Sequence, residues 1–363
     1  MPFDADRTAA PPEAQADRPA IGLWLLAVAA MVWVMVALGG ATRLTGSGLS
    51  IMEWAPIAGA LPPLSEAEWL RLFALYKTIP QYELVNTGFG LEGFKRIFWL
   101  EWAHRLWGRL IGLAYALPLL WFWWHGRIPR GYGLALFGLL VLGGLQGAVG
   151  WFMVASGFEA ARTTVSPYRL VVHLGLALAL FSALVWTALG LLRPAAAPPP
   201  GAGGLRALVR LAFGLLLLAM LAGGFVAGLR AGLDYNTFPL MAGAWVPPDY
   251  WRLSPAWSNL TENIPAVQFN HRLLATLGGL AALAAGLLAA RRLPTGFARR
   301  ACLTLAGLAT LQYVLGVLTL VHVVPVGLGT LHQANAVLLL AAGLAALHGL
   351  RARGSASGRE HQA

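Results

Sequence analysis

Charge is what this 363-residue chain has least of: Asp, Glu, Lys and Arg together make up 11% of it, against roughly 25% in a soluble domain. Cysteine is scarcer still. Cys302 stands alone, which excludes an intramolecular disulfide and a C-x-x-C-H motif for covalent haem attachment. The aspartates Asp4, Asp6, Asp17, Asp234 and Asp249 are scattered or in the tail, so no carboxylate cluster can hold Mg²⁺ against a diphosphate. Lysine is almost missing beside arginine, and with the Ala and Gly content this points to a GC-rich bacterial genome. The first 20 residues mix Asp, Arg and Pro and lack the short basic start of a secretory signal. The first apolar run therefore reads as a retained helix.

What the chain has is apolar surface, with 58% hydrophobic residues, 43 Gly and 15 Trp. Eight runs, approximately 21–41, 103–124, 133–155, 169–192, 207–229, 269–290, 301–322 and 328–349, each reach about the 20 residues a bilayer-crossing helix needs. Irregular backbone cannot face lipid, so an all-α bundle follows. The net charge of +11 does not signal nucleic acid, because the cations concentrate in the tails and in alternate connections. "AARRLPTGFARR" between the sixth and seventh runs is the strongest orientation signal. By the positive-inside rule both termini are expected in the cytoplasm. The first outer connection carries five cations but spans about 60 residues, a length at which the rule weakens.

The chain is also written twice. "GGATRLTGSGL" from Gly39 matches "GGFVAGLRAGL" from Gly223, and "LQGAVG" from Leu145 matches "LQYVLG" from Leu311. The His-Arg-Leu at His104 matches that at His271, and the run around His173 matches the run around His332. The offset shrinks from 184 to 167, 166 and 159, because the first copy has longer outer loops. The expected organisation is a tail (1–20), a four-helix half (21–192), a linker (193–206), a second four-helix half (207–349) and a tail (350–363). The halves should be parallel repeats about an axis along the membrane normal.

His104, His173, His271 and His332 then lie near the outer ends of even-numbered helices, two per half. One His from each of two helices in a bundle core can hold haem iron from both sides. Small residues follow the first of each pair, Gly108 and Gly112, then Ala275 and Gly279. They share the imidazole's face and leave room for a flat macrocycle. Arg105, Arg169 and Arg272 stand where they could meet propionates. Each feature has a plainer reading: small-x-x-x-small also serves helix packing, and a lone interfacial histidine is ordinarily just hydrogen-bonded. Recurrence at four repeat-equivalent positions favours ligation. A zinc site would want three or four converging ligands, and each half offers two. His322 is a weaker candidate, since Ser156 occupies its place in the first half; His125, His348 and His361 read as solvated. The halves differ three residues before the first histidine, where one has Glu101, just ahead of the expected helix, and the other Gln268. An ionisable carboxylate at one site and an amide at the other suggest one reacting site and one electron-handling site. Alternatively, Glu101 only pairs with Arg105.

"GGATRLTGSGLSIMEWAPIAGALPP", "LEWAHRLWGRLIG", "VSPYRLVVHLGLAL", "DYNTFPLM", "FNHRLLATLGG" and "TLHQANAV" resemble the haem A synthase family over about residues 21–349. The resemblance implies an eight-helix membrane oxidoreductase that converts the C8 methyl of haem O to the formyl of haem A for terminal oxidase assembly. It implies a haem b cofactor on His271 and His332, with Arg272 beside it. It places the haem O substrate on His104 and His173, near Arg105 and Arg169, with Glu101 as the catalytic acid of an E-x-x-H motif. Gram-positive members carry loop cysteine pairs; here there are none. Implied partners are membrane lipid, haem O synthase and cytochrome oxidase assembly factors, in a bacterial inner membrane with the haem sites towards the periplasm. A haem transporter or a two-haem electron carrier is the alternative.

Overall fold

The computed structural model describes residues 17–160, 162–193 and 199–351, all helix and loop apart from one isolated bridge. Most of both expected tails, residues 194–198 of the linker and His361 lie outside the described residues. Among the described residues ten α-helices form: α1 Arg18–Leu44, α2 Glu66–Tyr76, α3 Pro80–Leu84, α4 Leu91–Trp124, α5 Gly133–Ala155, α6 Pro167–Leu192, α7 Ala202–Gly228, α8 Ile264–Arg292, α9 Phe297–Val321 and α10 Val326–Gly349. All but α2 and α3 are long and apolar enough to cross a membrane. Proline near the first position starts α1, α3, α6 and α8, where its missing N–H costs nothing.

The spans run longer than their apolar cores. The largest difference is α4, expected over 103–124 but starting at Leu91. At 34 residues it is about 51 Å long, well beyond the roughly 30 Å hydrocarbon layer. Its first turns carry Glu92, Lys95 and Arg96 on one side, which hides them from an apolar window, and bury Phe94, Ile97 and Phe98 on the other. Glu101 thus sits within the helix, not ahead of it.

The first outer connection is a folded cap, with two helices that the apolar pattern does not announce. Ser65 caps α2 by accepting from the Glu68 amide. Leu49, Leu72, Phe73, Tyr76, Phe94 and Phe98 form the cap's core, with Trp69 edge-on to Phe98. Within it the Tyr76 hydroxyl donates to Gln81 Oε1, and Gln81 Nε2 donates to the Gly46 carbonyl. These bonds stitch the cap to the end of α1.

In the membrane region α7–α10 pack as a tight bundle, and α1, α4, α5 and α6 form its looser counterpart. The two groups meet through α1 with α10, α6 with α7, and α6 with α10, contacts that exchange under the repeat. The paired glycines show how. A Cβ on Gly40 would lie 2.6 Å from Gln333 of α10, and one on the equivalent Gly224 would lie 3.2 Å from Leu174 of α6. Gln333 and Leu174 are themselves 159 residues apart, the offset of their helices. His348, expected in solvent, is instead 4% exposed at the α6–α10 crossing, edge-on to Trp186 at 5.3 Å. Its place near a helix end misleads, because both helices there are covered by the other half.

Candidate functional site

The four repeat-related histidines lie at one side of the molecule, each against a glycine of a neighbouring helix. A Cβ on Gly39 of α1 would stand 3.2 Å from the His104 ring, and one on Gly223 of α7 would stand 3.0 Å from His271. Gly150 of α5 and Gly316 of α9 would place theirs 2.9 Å from His173 and His332. These close approaches fall at equivalent positions in the two halves. The anticipated stripe is less telling: Gly112 and Gly279 face open space.

His271 and His332 face each other with ring centres 6.4 Å apart and planes at 82°. An imidazole nitrogen bonds a metal at about 2 Å, which puts each ring centre roughly 3 Å from the metal. The observed separation therefore suits one iron between the two rings. His271 Nδ1 lies 2.8 Å from the Ala219 carbonyl. Donation there fixes the tautomer and leaves Nε2 as the ligating lone pair. His332 is met by Gln312, whose amide nitrogen lies 3.2 Å from Nδ1 and 3.3 Å from Nε2, and Asn335 donates to the Gln312 oxygen at 2.8 Å. In the other half Gln146 meets His173 in the same way, 3.2 Å from Nδ1. Gln146, Gln312 and Asn335 escape a reading that follows histidines. The repeated Leu-Gln at Leu145 and Leu311 was the signal for the two glutamines.

The arginines have defined partners. Arg105 Nε donates to Glu101 Oε1 at 2.7 Å, while its other nitrogens donate to the Ile51 and Glu53 carbonyls. Arg272 donates to Gln268 Oε1 at 2.7 Å and to the Tyr235 and Thr237 carbonyls. Every one of these positions maps onto its counterpart through the repeat, with one exchange of carboxylate for amide. Glu101 and Arg105 are 4% and 17% exposed as side chains, so this ion pair is shielded. The strap is thus a shared scaffold feature, and the charge on Glu101 is specific to one half. Arg169 donates to the Phe152 carbonyl, lies over the Phe152 ring at 4.0 Å and approaches Glu159 at 3.5 Å.

From the strap the first half extends outward. The Glu53 carboxylate accepts two 2.8 Å bonds from Arg71 of α2, and Arg71 also binds Glu68. The Arg71 hydrogen bonds hold both carboxyls below their usual range. Trp54 packs on Trp151 at 5.2 Å, with the Arg105 guanidinium 5.7 Å from the Trp151 ring. His322 is exposed, 2.9 Å from the Leu318 carbonyl, and His125 is exposed beside the Trp121 carbonyl. Neither joins the cluster.

Comparison with known proteins decides the family. A family model described as a cytochrome oxidase assembly protein, COX15-CtaA, matches residues 22–344. The chain belongs to the COX15-CtaA family. Similar members include the heme A synthase of Granulibacter bethesdensis, 58% identical over 94% of this chain and 90% of the relative. The heme A synthase of Rhodospirillum centenum is 49% identical over 94% and 92%, and that of Methylobacterium sp. (strain 4-46) 50% identical over 93% and 95%. In this COX15-CtaA member the four histidines, both straps and the Glu101–Gln268 difference all fall inside the matched region.

Proposed function

We propose that the chain is a haem A synthase, a membrane oxidoreductase that converts the C8 methyl of haem O to the formyl group of haem A. The observation that carries this reading is the facing pair His271 and His332, matched in position by His104 and His173, with a carboxylate beside only the first-half pair. His271 and His332 hold haem b, which when bound accepts and passes on single electrons. His104 and His173 hold haem O as substrate. Oxidising a methyl to an aldehyde removes four electrons in two stages, and protons must leave with them. Glu101 accepts protons and stabilises positive charge developing at the substrate, which the amide of Gln268 cannot do. Arg105 keeps that carboxylate in place and ties it to the outer loop. Arg105, Arg169 and Arg272 lie at the histidine end of the bundle, where the propionates of each haem are expected.

All four histidines lying at one side argues against a carrier that moves electrons across the bilayer, and spans nearly free of buried charge argue against a transporter with a polar midplane site. The positive-inside pattern supports a bacterial inner membrane with the haem sites towards the periplasm. Membrane lipid surrounds the bundle, and haem O synthase and cytochrome oxidase assembly factors are the natural upstream and downstream partners. The test is to purify the protein from cells making haem O and identify its porphyrins by mass. Haem B together with haem O or haem A is expected; haem B alone would defeat the assignment of a substrate site.

A further inference from the structure

The two halves grip their histidine rings unequally. In the C-terminal half His271 is fixed by Ala219, and His332 by Gln312 with Asn335 behind it. In the N-terminal half no hydrogen bond to the His104 ring is found among the described residues. Gln146 reaches His173, but Leu176 stands at the position equivalent to Asn335. The Gln146 Oε1 is buried and has no partner among the described residues.

The helix seams beside these pairs differ too. Between α8 and α9 the Tyr313 hydroxyl lies 3.0 Å from Thr276 Oγ1, and the Tyr313 ring stands edge-on to Phe238 at 6.1 Å. The equivalent of Tyr313 is Gly147, where an added Cβ would meet no atom within 4 Å. The equivalent of Thr276 is Arg109, whose guanidinium is turned away to the Ala55 and Pro56 carbonyls. Accordingly α8 and α9 pack along their length, whereas α4 and α5 touch only sparingly.

We infer that Tyr313 and Gly147 decide which half keeps its haem and which half exchanges it. Tyr313, braced on Thr276, closes the α8–α9 seam over a retained cofactor; Gly147 leaves the α4–α5 seam passable to an amphipathic tetrapyrrole arriving from the bilayer. Turnover requires this asymmetry, because a substrate site must release its product and a cofactor site must not. The inference rests on the assignment of the two histidine pairs proposed above.

The test measures haem transfer from the purified holoprotein in detergent to excess apomyoglobin, followed at the Soret band. Tyr313→Gly should release haem b at least about tenfold faster than the wild type, since a buried ring and a hydrogen bond are both lost. Tyr313→Phe and Thr276→Val, which keep the packing, should shift release in the same direction by a smaller factor. Gly147→Tyr should retain haem b with an unchanged low-spin signal while binding of added haem O to the first half falls at least about tenfold; Gly147→Ala should bind nearly as the wild type does. Release within about twofold of wild type in the Tyr313 and Thr276 variants, or normal haem O binding by Gly147→Tyr, would overturn the inference. If Tyr313→Gly does not fold, the two milder variants decide the matter alone. Failure of the underlying assignment shows separately, as a wild-type haem spectrum that His271→Ala leaves unchanged.

Discussion

Glu101→Gln is the sharpest perturbation available, because the molecule already contains its control. Gln268 occupies the equivalent position and bonds Arg272 at the same 2.7 Å, with the loop carbonyls held as in the first half. The variant should therefore keep the Arg105 strap. What it loses is the difference between a charged and a neutral hydrogen bond, about 1 kcal/mol, which a folded membrane bundle tolerates. General acid–base groups are worth roughly 100- to 10,000-fold in rate, or about 3 to 5 kcal/mol of barrier. The expected outcome is near-normal expression and haem b content, with haem O or the intermediate alcohol accumulating in place of haem A. The assay is porphyrin extraction and mass quantification, beside the low-spin spectrum of the purified protein. Glu101→Ala should behave differently: it leaves a shielded guanidinium unpaired, at a cost of about 3 to 5 kcal/mol, and should lower protein yield as well as turnover. An activity loss below about tenfold in Glu101→Gln would refute the catalytic role and leave Glu101 as the partner of Arg105 alone. Loss of haem b together with activity would show instead that the charge holds the fold.

Three further outcomes follow from the same geometry. His271→Ala or His332→Ala should abolish or convert the low-spin haem spectrum, whereas His322→Ala, exposed and outside the cluster, should leave it intact; an unchanged spectrum in both of the first two would reject the pair. Introduced cysteines at 291–300 should label only from the cytoplasmic side and those in the 45–90 cap only from outside, against a low background because Cys302 is buried; outside labelling of 291–300 would reverse the orientation. The cap should loosen in acid: Glu53 has a depressed folded pKa, so its pairing with Arg71 contributes fully above the unfolded value, about 4.3, and is lost as pH falls through the lower folded value. Proteolysis within 53–77 at pH 3 to 5 checks this, and since an exposed pair is worth at most about 1 kcal/mol, Arg71→Gln should remove the pH dependence while changing neutral stability little; acid sensitivity persisting in Arg71→Gln would point to another group.

Much was decided by the order of residues alone. Apolar runs of bilayer length dictate helices because lipid offers the backbone no hydrogen bonds, and the doubled motifs bring out the four histidines because each falls at a matched position in its apolar run. The Glu101–Gln268 exchange was legible for the same reason. The start of α4 and the helices of the cap were not, since their apolar residues are interleaved with charged ones, Glu92, Lys95 and Arg96 in α4 and Glu66, Glu68 and Arg71 in α2, and find a core only when the loop folds back on α4. His348 was misjudged because burial at the α6–α10 crossing is a property of two halves meeting, not of either helix. Sequence likewise showed that Tyr313 and Gly147 differ, but not that one reaches Thr276 across a seam and the other opens one. Local pattern records what each segment needs from its solvent, lipid or water. Which side chain meets which across a helix boundary depends on packing between segments far apart in the chain, and only the tertiary structure decides it.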